Sequence, residues 1–121
     1  PEVLAGSTRL GAGTAQKIAL NTMSTYMGIL LGHVMDGQMV NLIANNAKLL
    51  KRSENIVINI TGCNANKAKN ALREAKGGVK LAILLASGAK SITTAQNILA
   101  SEKQNLRLAI KRVKFEKLGS K

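Results

Sequence analysis

Aromatic residues are almost absent from this 121-residue chain, which has no Trp, one Tyr and one Phe. The hydrophobic fraction is nevertheless 45%, so a core must be built from Ala, Leu, Ile, Val and Met, which suit closely packed helices. A single Pro agrees with a helical chain. A single Cys excludes an internal disulfide and predicts a reducing, cytoplasmic compartment.

The residues that carry most enzyme chemistry are also scarce. His33 and Cys63 are each the only residue of their kind, and neither has a ligand partner at a motif spacing, so no metal site is predicted. A hydrolytic triad fails for the same reason. The six Asp and Glu residues are scattered, with no pair at helical spacing to divide the acid and base roles. No catalytic residue is therefore predicted within this chain.

The net charge of +12 is unevenly distributed along the chain. Residues 1–50 carry a net charge of +1 and residues 51–121 a net charge of +11, which predicts a domain boundary near Leu50. A basic half of this kind could attract nucleic acid. Against nucleic-acid binding stand the lack of aromatic residues among the basic ones and the simpler interpretation that the lysines only solvate helix faces.

The first half is predicted to contain a strand, a long helix and a loop. The apolar run at 2–5 indicates the end of a strand, and apolar residues at helical spacing from 13 to 31 indicate a helix buried on most sides. Polar residues within this helix, such as Gln16 and Asn21, count against a membrane span. A loop is predicted at 33–37, with a turn at Asp36-Gly37.

An extended segment at 39–43 is predicted to lead into a helix that begins at Asn45 or Asn46 and runs to about Ile60. The remainder contains an internal repeat of about 27 residues, with one residue inserted early in the second copy. Each copy predicts two helices joined by a turn, in which Gly78 or Asn105 would take a positive φ.

The first copy, together with the helix before it, resembles the three-helix arrangement of ubiquitin-associated (UBA) domains. A UBA-like unit is therefore expected at about 52–86 and a second helical hairpin at about 88–113. Ubiquitin binding is not implied, because a shared shape does not carry function. The basic end from Lys111 to Lys121 is predicted to be frayed.

The segment from residue 6 to 17 reads GSTRLGAGTAQK. Small residues, hydroxyls and two cations at the start of a helix can form an anion site, because free backbone N–H groups and the positive helix end face the ligand. Ser7, Thr8, Arg9 and Lys17 are the predicted phosphate-binding residues. The alternative is structural: the glycines allow close packing and the hydroxyls cap a helix. The segment lacks the Gly-Lys-Ser/Thr ending of a P-loop.

The run from Pro1 to Leu10, followed by Gly13 to Lys17, resembles the signature shared by N-acetylmuramic acid 6-phosphate etherases and the animal glucokinase regulatory protein. The likeness continues through Asn45 to Leu49 and Lys80 to Ile83, and so covers most of the chain. Two positions depart from the family pattern: Gly11 stands where Lys is usual, and Asn41 stands where an acidic residue is usual.

This resemblance implies the end of a sugar-isomerase-type (SIS) α/β domain at 1–50 and a basic helical domain at 51–121. It also implies a homodimer that acts on a sugar phosphate without a metal or organic cofactor. The family removes the D-lactyl ether from its substrate with glutamates that lie upstream. The start at Pro1, without Met, predicts that residues are missing upstream, and the resemblance then implies that this chain is a non-catalytic C-terminal piece. The alternative is a regulatory module that senses sugar phosphates.

Overall fold

The structure is a computed structural model that describes residues 8–120, with side chains described from residue 11 to residue 120. Its elements in chain order are α1 (Thr8–Leu30), β1 (Val34–Met35), β2 (Gln38–Met39), α2 (Ala47–Thr61), α3 (Ala65–Glu74), α4 (Val79–Ser87), α5 (Ile92–Ser101) and α6 (Leu106–Gly119). The prediction of a mainly α-helical chain is confirmed. The strand predicted at 2–5 lies outside the described residues.

Helix α1 exposes the apolar side chains from which its burial was predicted. Six of them are 52–64% exposed: Ile18, Leu20, Met23, Met27, Ile29 and Leu30. Their spacing correctly predicts a helix, but nothing within residues 8–120 covers this face. The prediction of a helix buried on most sides therefore does not hold for this chain by itself. Among the described residues, no helix combines the length and the apolar character that crossing a membrane requires.

A short antiparallel hairpin follows α1 where the sequence predicts a loop. Val34 pairs with Met39 and Met35 with Gln38. The turn between them contains Asp36 and Gly37, whose φ values of 49° and 73° are those of a type I′ turn, which matches the twist of hairpin strands. The predicted turn is confirmed, and the loop prediction missed the two flanking pairs.

Helices α2 to α6 form the packed part of the chain, with α4 at its centre. Helix α4 packs against α2, α3, α5 and α6 and is apolar on nearly all sides, as a surrounded helix must be. Four of these five helices begin at a residue whose side chain accepts a hydrogen bond from a backbone N–H three residues later: Asn46, Asn64, Ser91 and Asn105. The predicted start of α2 at Asn45 or Asn46 is confirmed.

The internal repeat is visible in the packing. Ala68, Leu72, Ala82 and Ile83 are each followed 27 residues later by Ala95, Leu99, Ala109 and Ile110, and all eight are buried. The glycines that end α2 and α4, Gly62 and Gly88, lie 26 residues apart, whereas the caps Asn64 and Ser91 lie 27 apart. The inserted residue is therefore between Gly88 and Ser91, as predicted.

The turns inside the two repeats have the same backbone, but not at the predicted residues. Positive φ values occur at Lys76 and Gly77 and again at Lys103 and Gln104. The prediction that Gly78 or Asn105 takes this conformation is wrong, because both are extended and precede a helix. In each turn the second positive-φ residue donates its N–H to a leucine carbonyl five residues back, at 2.8 and 2.9 Å.

Replacing Gln104 with Gly should stabilise the protein. Gln104 has a φ of 64°, a conformation that costs a residue with a side chain about 1–2 kcal/mol but suits glycine. After the greater chain entropy of glycine is subtracted, we expect the free energy of unfolding in urea to rise by about 0.5–1 kcal/mol. Gln96→Gly on helix α5 is the control and should lower it by about 1 kcal/mol. A destabilised Gln104→Gly variant would contradict the assigned turn.

Helix α6 has a charged residue where the equivalent helix of the first repeat, α4, has a buried apolar one. Lys111 of α6 occupies the position of Leu84 in α4, 27 residues earlier; Leu84 is fully buried and Lys111 is exposed. A charged outer face is typical of the last unit in a helical stack. The basic end predicted as frayed is helical as far as Gly119. The charge boundary near Leu50 falls inside α2 and is not a break in secondary structure.

Candidate functional site

The residues predicted to bind phosphate begin helix α1. Ser7 lies outside the described residues, and of Thr8 and Arg9 only the backbone is described. The helix begins at Thr8, about five residues before the predicted start. Lys17 therefore lies two and a half turns into it, a rise of about 13 Å along the axis, and its side chain is exposed. Only Arg9 of the two cations thus lies in the first turn, and the four residues stay a prediction.

Residues with catalytic or metal-binding potential are not gathered in the part of the chain that the structure describes. No three His, Cys, Asp or Glu residues within it could hold one metal ion. Cys63 is a half-buried free thiol. His33 lies between α1 and the hairpin, where its backbone carbonyl accepts from Val40 at 2.8 Å.

The carboxylates are largely engaged in surface ion pairs. Asp36 accepts from Arg107 at 2.6 Å, which joins the hairpin turn to α6. Glu102 and Glu116 lie 3.2 and 3.4 Å from Arg112. Three of the five carboxylates between residues 8 and 120 are thus held by arginines rather than aimed into a shared cleft.

A groove at the start of α4 is the site that the sequence did not predict. Its volume is about 450 Å³. The lining residues come from three parts of the chain: the segment Val40–Ile43, the start of α4 at Gly78–Leu81, and Gln96, Leu99 and Gln104 of the second repeat. The groove therefore lies between the two repeats, where the extended segment before α2 crosses them.

The crossing segment is fixed by a close contact between two pieces of backbone. Ala44 donates to the carbonyl of Gly77 at 2.9 Å, and Val79 donates to that of Leu42 at 3.2 Å. A Cβ atom at Gly77 would lie only 2.6 Å from the carbonyl oxygen of Ala44. Glycine is thus required at this point for the segment to lie against the turn and form one wall of the groove.

Lys80 is the charged residue of this groove. Only 7% of it is exposed, and its Nζ donates to the backbone carbonyl of Gln104 at 3.3 Å. Burial lowers the pKa of its ammonium group from the usual 10.5, because the charged form loses hydration. No carboxylate among residues 8–120 lies within 4 Å of this nitrogen. Lys80 is therefore a buried cation with one neutral partner.

The backbone at the start of α4 adds hydrogen-bond donors. Gly78 precedes the helix and has no side chain to cap it. The N–H groups of Lys80 and Leu81 have no backbone acceptor within the described part of the chain. Free backbone N–H groups at the start of a helix can hold an anion. The available signal in the sequence was Lys80 itself, the only charge in the apolar run of α4.

Comparison with known proteins supplies a consistent set of relatives. No family model matches the chain, but its sequence matches curated proteins named N-acetylmuramic acid 6-phosphate etherase. It is 44% identical over 110 residues to the one from Synechococcus sp. (strain CC9605), which covers 91% of this chain and 35% of that protein. Identity is 42% over 110 residues for the Pseudothermotoga lettingae protein, covering 91% and 36%. For the Deinococcus radiodurans protein it is 48% over 85 residues, covering 70% and 28%.

The chain is similar, over about nine-tenths of its own length, to part of the N-acetylmuramic acid 6-phosphate etherases. It spans about a third of the length of the curated etherases that it matches. The resemblance stated from the sequence is thereby confirmed. Because these matches reach 96% of the chain, they include the helical repeats as well as α1, so the groove at Lys80 is part of the etherase-related sequence.

Proposed function

We propose that this chain is a C-terminal piece of a lyase that cleaves the D-lactyl ether of N-acetylmuramic acid 6-phosphate. Elimination of D-lactate leaves an unsaturated sugar phosphate, and the addition of water to it gives N-acetylglucosamine 6-phosphate, in the recycling of cell-wall sugars. The observation that carries the proposal is 38–44% sequence identity, over about nine-tenths of the chain, to proteins that bear the name of this activity. Identity of this degree over nine-tenths of a chain is far above that of proteins sharing only a fold.

In this proposal the chain does not itself perform the elimination. The reaction needs a base to remove the proton next to the open-chain carbonyl and an acid to help lactate leave. Three of the five described carboxylates are paired with arginines on the surface, and the family resemblance assigns both roles to glutamates upstream. Ser7, Thr8, Arg9 and Lys17 are proposed to assist in holding the substrate phosphate.

The finer architecture is proposed on the same grounds. The exposed apolar face of α1 has the character of a helix that packs on a sheet, which supports its assignment to the end of an SIS domain at 1–50. Helices α2, α3 and α4 would form the UBA-like unit at about 52–86, and α5 and α6 the hairpin at about 88–113. Because α2 crosses residue 50, the two domains would share this helix as a rigid connection.

The oligomeric state, the cellular compartment and the ligands of the parent protein are proposed from the family resemblance. The parent protein would be a cytoplasmic homodimer that binds a sugar phosphate and needs no metal or organic cofactor. A regulatory module that senses sugar phosphates without cleaving them is the alternative, and it would keep this helical part while lacking the catalytic glutamates. Nucleic acid is not the proposed partner, because Tyr26 and Phe115 are the only aromatic residues.

Release of D-lactate tests the proposal that this chain does not perform the elimination by itself. The chain alone, incubated with N-acetylmuramic acid 6-phosphate, should release no D-lactate above the rate without protein. The Synechococcus etherase under the same conditions is the matched control and should release it. Turnover by the isolated chain that survives further purification would show that the chain holds its own acid and base, against the proposal.

A further inference from the structure

We propose that the groove at the start of helix α4 is a binding site for an oxyanion, a phosphate or a carboxylate group, held by the Lys80 ammonium and the free N–H groups of Lys80 and Leu81. This inference goes beyond the proposed function. It concerns residues that the family signature at the start of the chain does not include, and it does not require the chain to take part in any reaction.

The buried charge is the first argument. An ammonium group removed from water is stabilised only by partners that replace its hydration, and ideally by an opposite charge. Lys80 is 93% buried and has one neutral acceptor, the carbonyl of Gln104 at 3.3 Å. An ammonium group has three donors. Two of them are therefore available to a ligand in the groove that Lys80 lines.

The uncapped start of α4 also favours an anion, and it lines the same groove as Lys80. The N–H groups of Lys80 and Leu81 carry the positive end of the helix dipole. Asn105 caps α6 at the position equivalent to Gly78. In the second repeat a side chain therefore accepts a backbone N–H whose counterpart in the first repeat has no side-chain acceptor. Lys80 and the open helix start both line the groove. An oxyanion there would be bound by a charge and by backbone donors together.

The walls of the groove add selectivity. Asn41 and Gln96 line it and are exposed, and neither side-chain amide hydrogen-bonds another described residue. Each can donate to a ligand oxygen. No described carboxylate lines the groove, so nothing in it repels an anion. The volume of about 450 Å³ accommodates an anionic group together with the part of a small molecule that carries it.

Titration of the ¹⁵N-labelled chain with inorganic phosphate, and separately with D-lactate, tests this site. We expect saturable shifts centred on the backbone amides of Lys80 and Leu81. The anion that binds more tightly identifies the group. Lys80→Met keeps the length of the side chain and should weaken binding at least tenfold. Lys69→Met removes an exposed lysine of α3 and should leave the affinity within twofold of the wild-type value.

A second variant decides the question if Lys80→Met perturbs the fold. Asn41→Asp places a carboxylate in the groove, where it would pair with Lys80 and repel anions. It should weaken phosphate and lactate binding at least tenfold while leaving the helical circular dichroism unchanged. Wild-type affinity in either folded variant, or shifts that spread over all lysine-rich surfaces without saturating, would overturn the proposal. Since no step measures turnover, failure here leaves the proposed lyase function standing.

Discussion

Replacing Gly77 with Ala is expected to lower the free energy of unfolding by about 3 kcal/mol. Two costs combine. Gly77 has a φ of 84°, which costs a residue with a Cβ about 1–2 kcal/mol, and this Cβ would lie 2.6 Å from the carbonyl oxygen of Ala44. Relieving the collision means moving backbone, at a further cost of about 1–3 kcal/mol. Urea denaturation followed by circular dichroism measures the sum.

Gly62→Ala is the matched control for that substitution. Gly62 has a φ of 71° at the end of α2, but a Cβ there would meet no atom within 4 Å. This variant therefore has the conformational cost without the collision, and should lose only about 1 kcal/mol. Equal losses in the two variants would mean that the segment before α2 does not lie against the α3–α4 turn, and would remove one wall of the groove.

Leu84→Ala is expected to cost about 3 kcal/mol, the range for removing a fully buried leucine side chain. Leu84 has no exposed surface and lies in the helix that four others surround. The loss of transfer free energy is compounded by the cavity that remains, because the surrounding helices hold one another in place. The same urea titration measures it.

The internal repeat provides the control for Leu84. Lys111 occupies the equivalent position in α6 and is exposed, so Lys111→Ala should change the free energy of unfolding by less than about 0.5 kcal/mol. The pair tests whether the stack ends at α6. A cost at Lys111 approaching that at Leu84 would indicate that the outer face of α6 is packed against something.

The sequence predicts the helices of the repeat well because local and tertiary requirements agree there. Ala68 and Leu72 share one face of α3, Ala95 and Leu99 share one face of α5, and all four are buried. The start of α2 at Asn46 follows from one side chain that accepts one N–H. Such features depend on residues within one turn of each other, which is the range over which a pattern in sequence is informative.

The turns were misplaced for a physical reason. Residue type favoured Gly78 as the positive-φ position, yet Lys76 and Gly77 take that conformation. The position is decided by hydrogen bonds back to the preceding helix, such as that from Gly77 to Leu72. Non-glycine residues tolerate it in the second repeat, at Lys103 and Gln104, because these hydrogen bonds and the packing of the two helices determine it. The position of the turn therefore depends on tertiary contacts, which residue type alone does not reveal.

The groove at Lys80 illustrates a second limit. A lysine in an apolar helix is ordinarily a solvated residue with a buried stem, and the repeat aligns Lys80 with the exposed Arg107. Lys80 donates to Gln104 of the second repeat and lines a groove together with the segment around Asn41, 24 and 39 residues away in sequence. Contacts between residues so far apart in sequence depend on the fold, and a single lysine in an apolar helix does not predict them.

The central proposal, that the chain is the non-catalytic C-terminal part of an etherase, is tested most directly by exchanging it into a relative. In the Synechococcus etherase, the 110 matched residues would be replaced by the corresponding residues of this chain, and D-lactate release from N-acetylmuramic acid 6-phosphate would be measured. The account predicts a folded chimera that releases D-lactate, whereas the chain alone does not. A chimera that folds and binds the sugar phosphate but releases no D-lactate would contradict it.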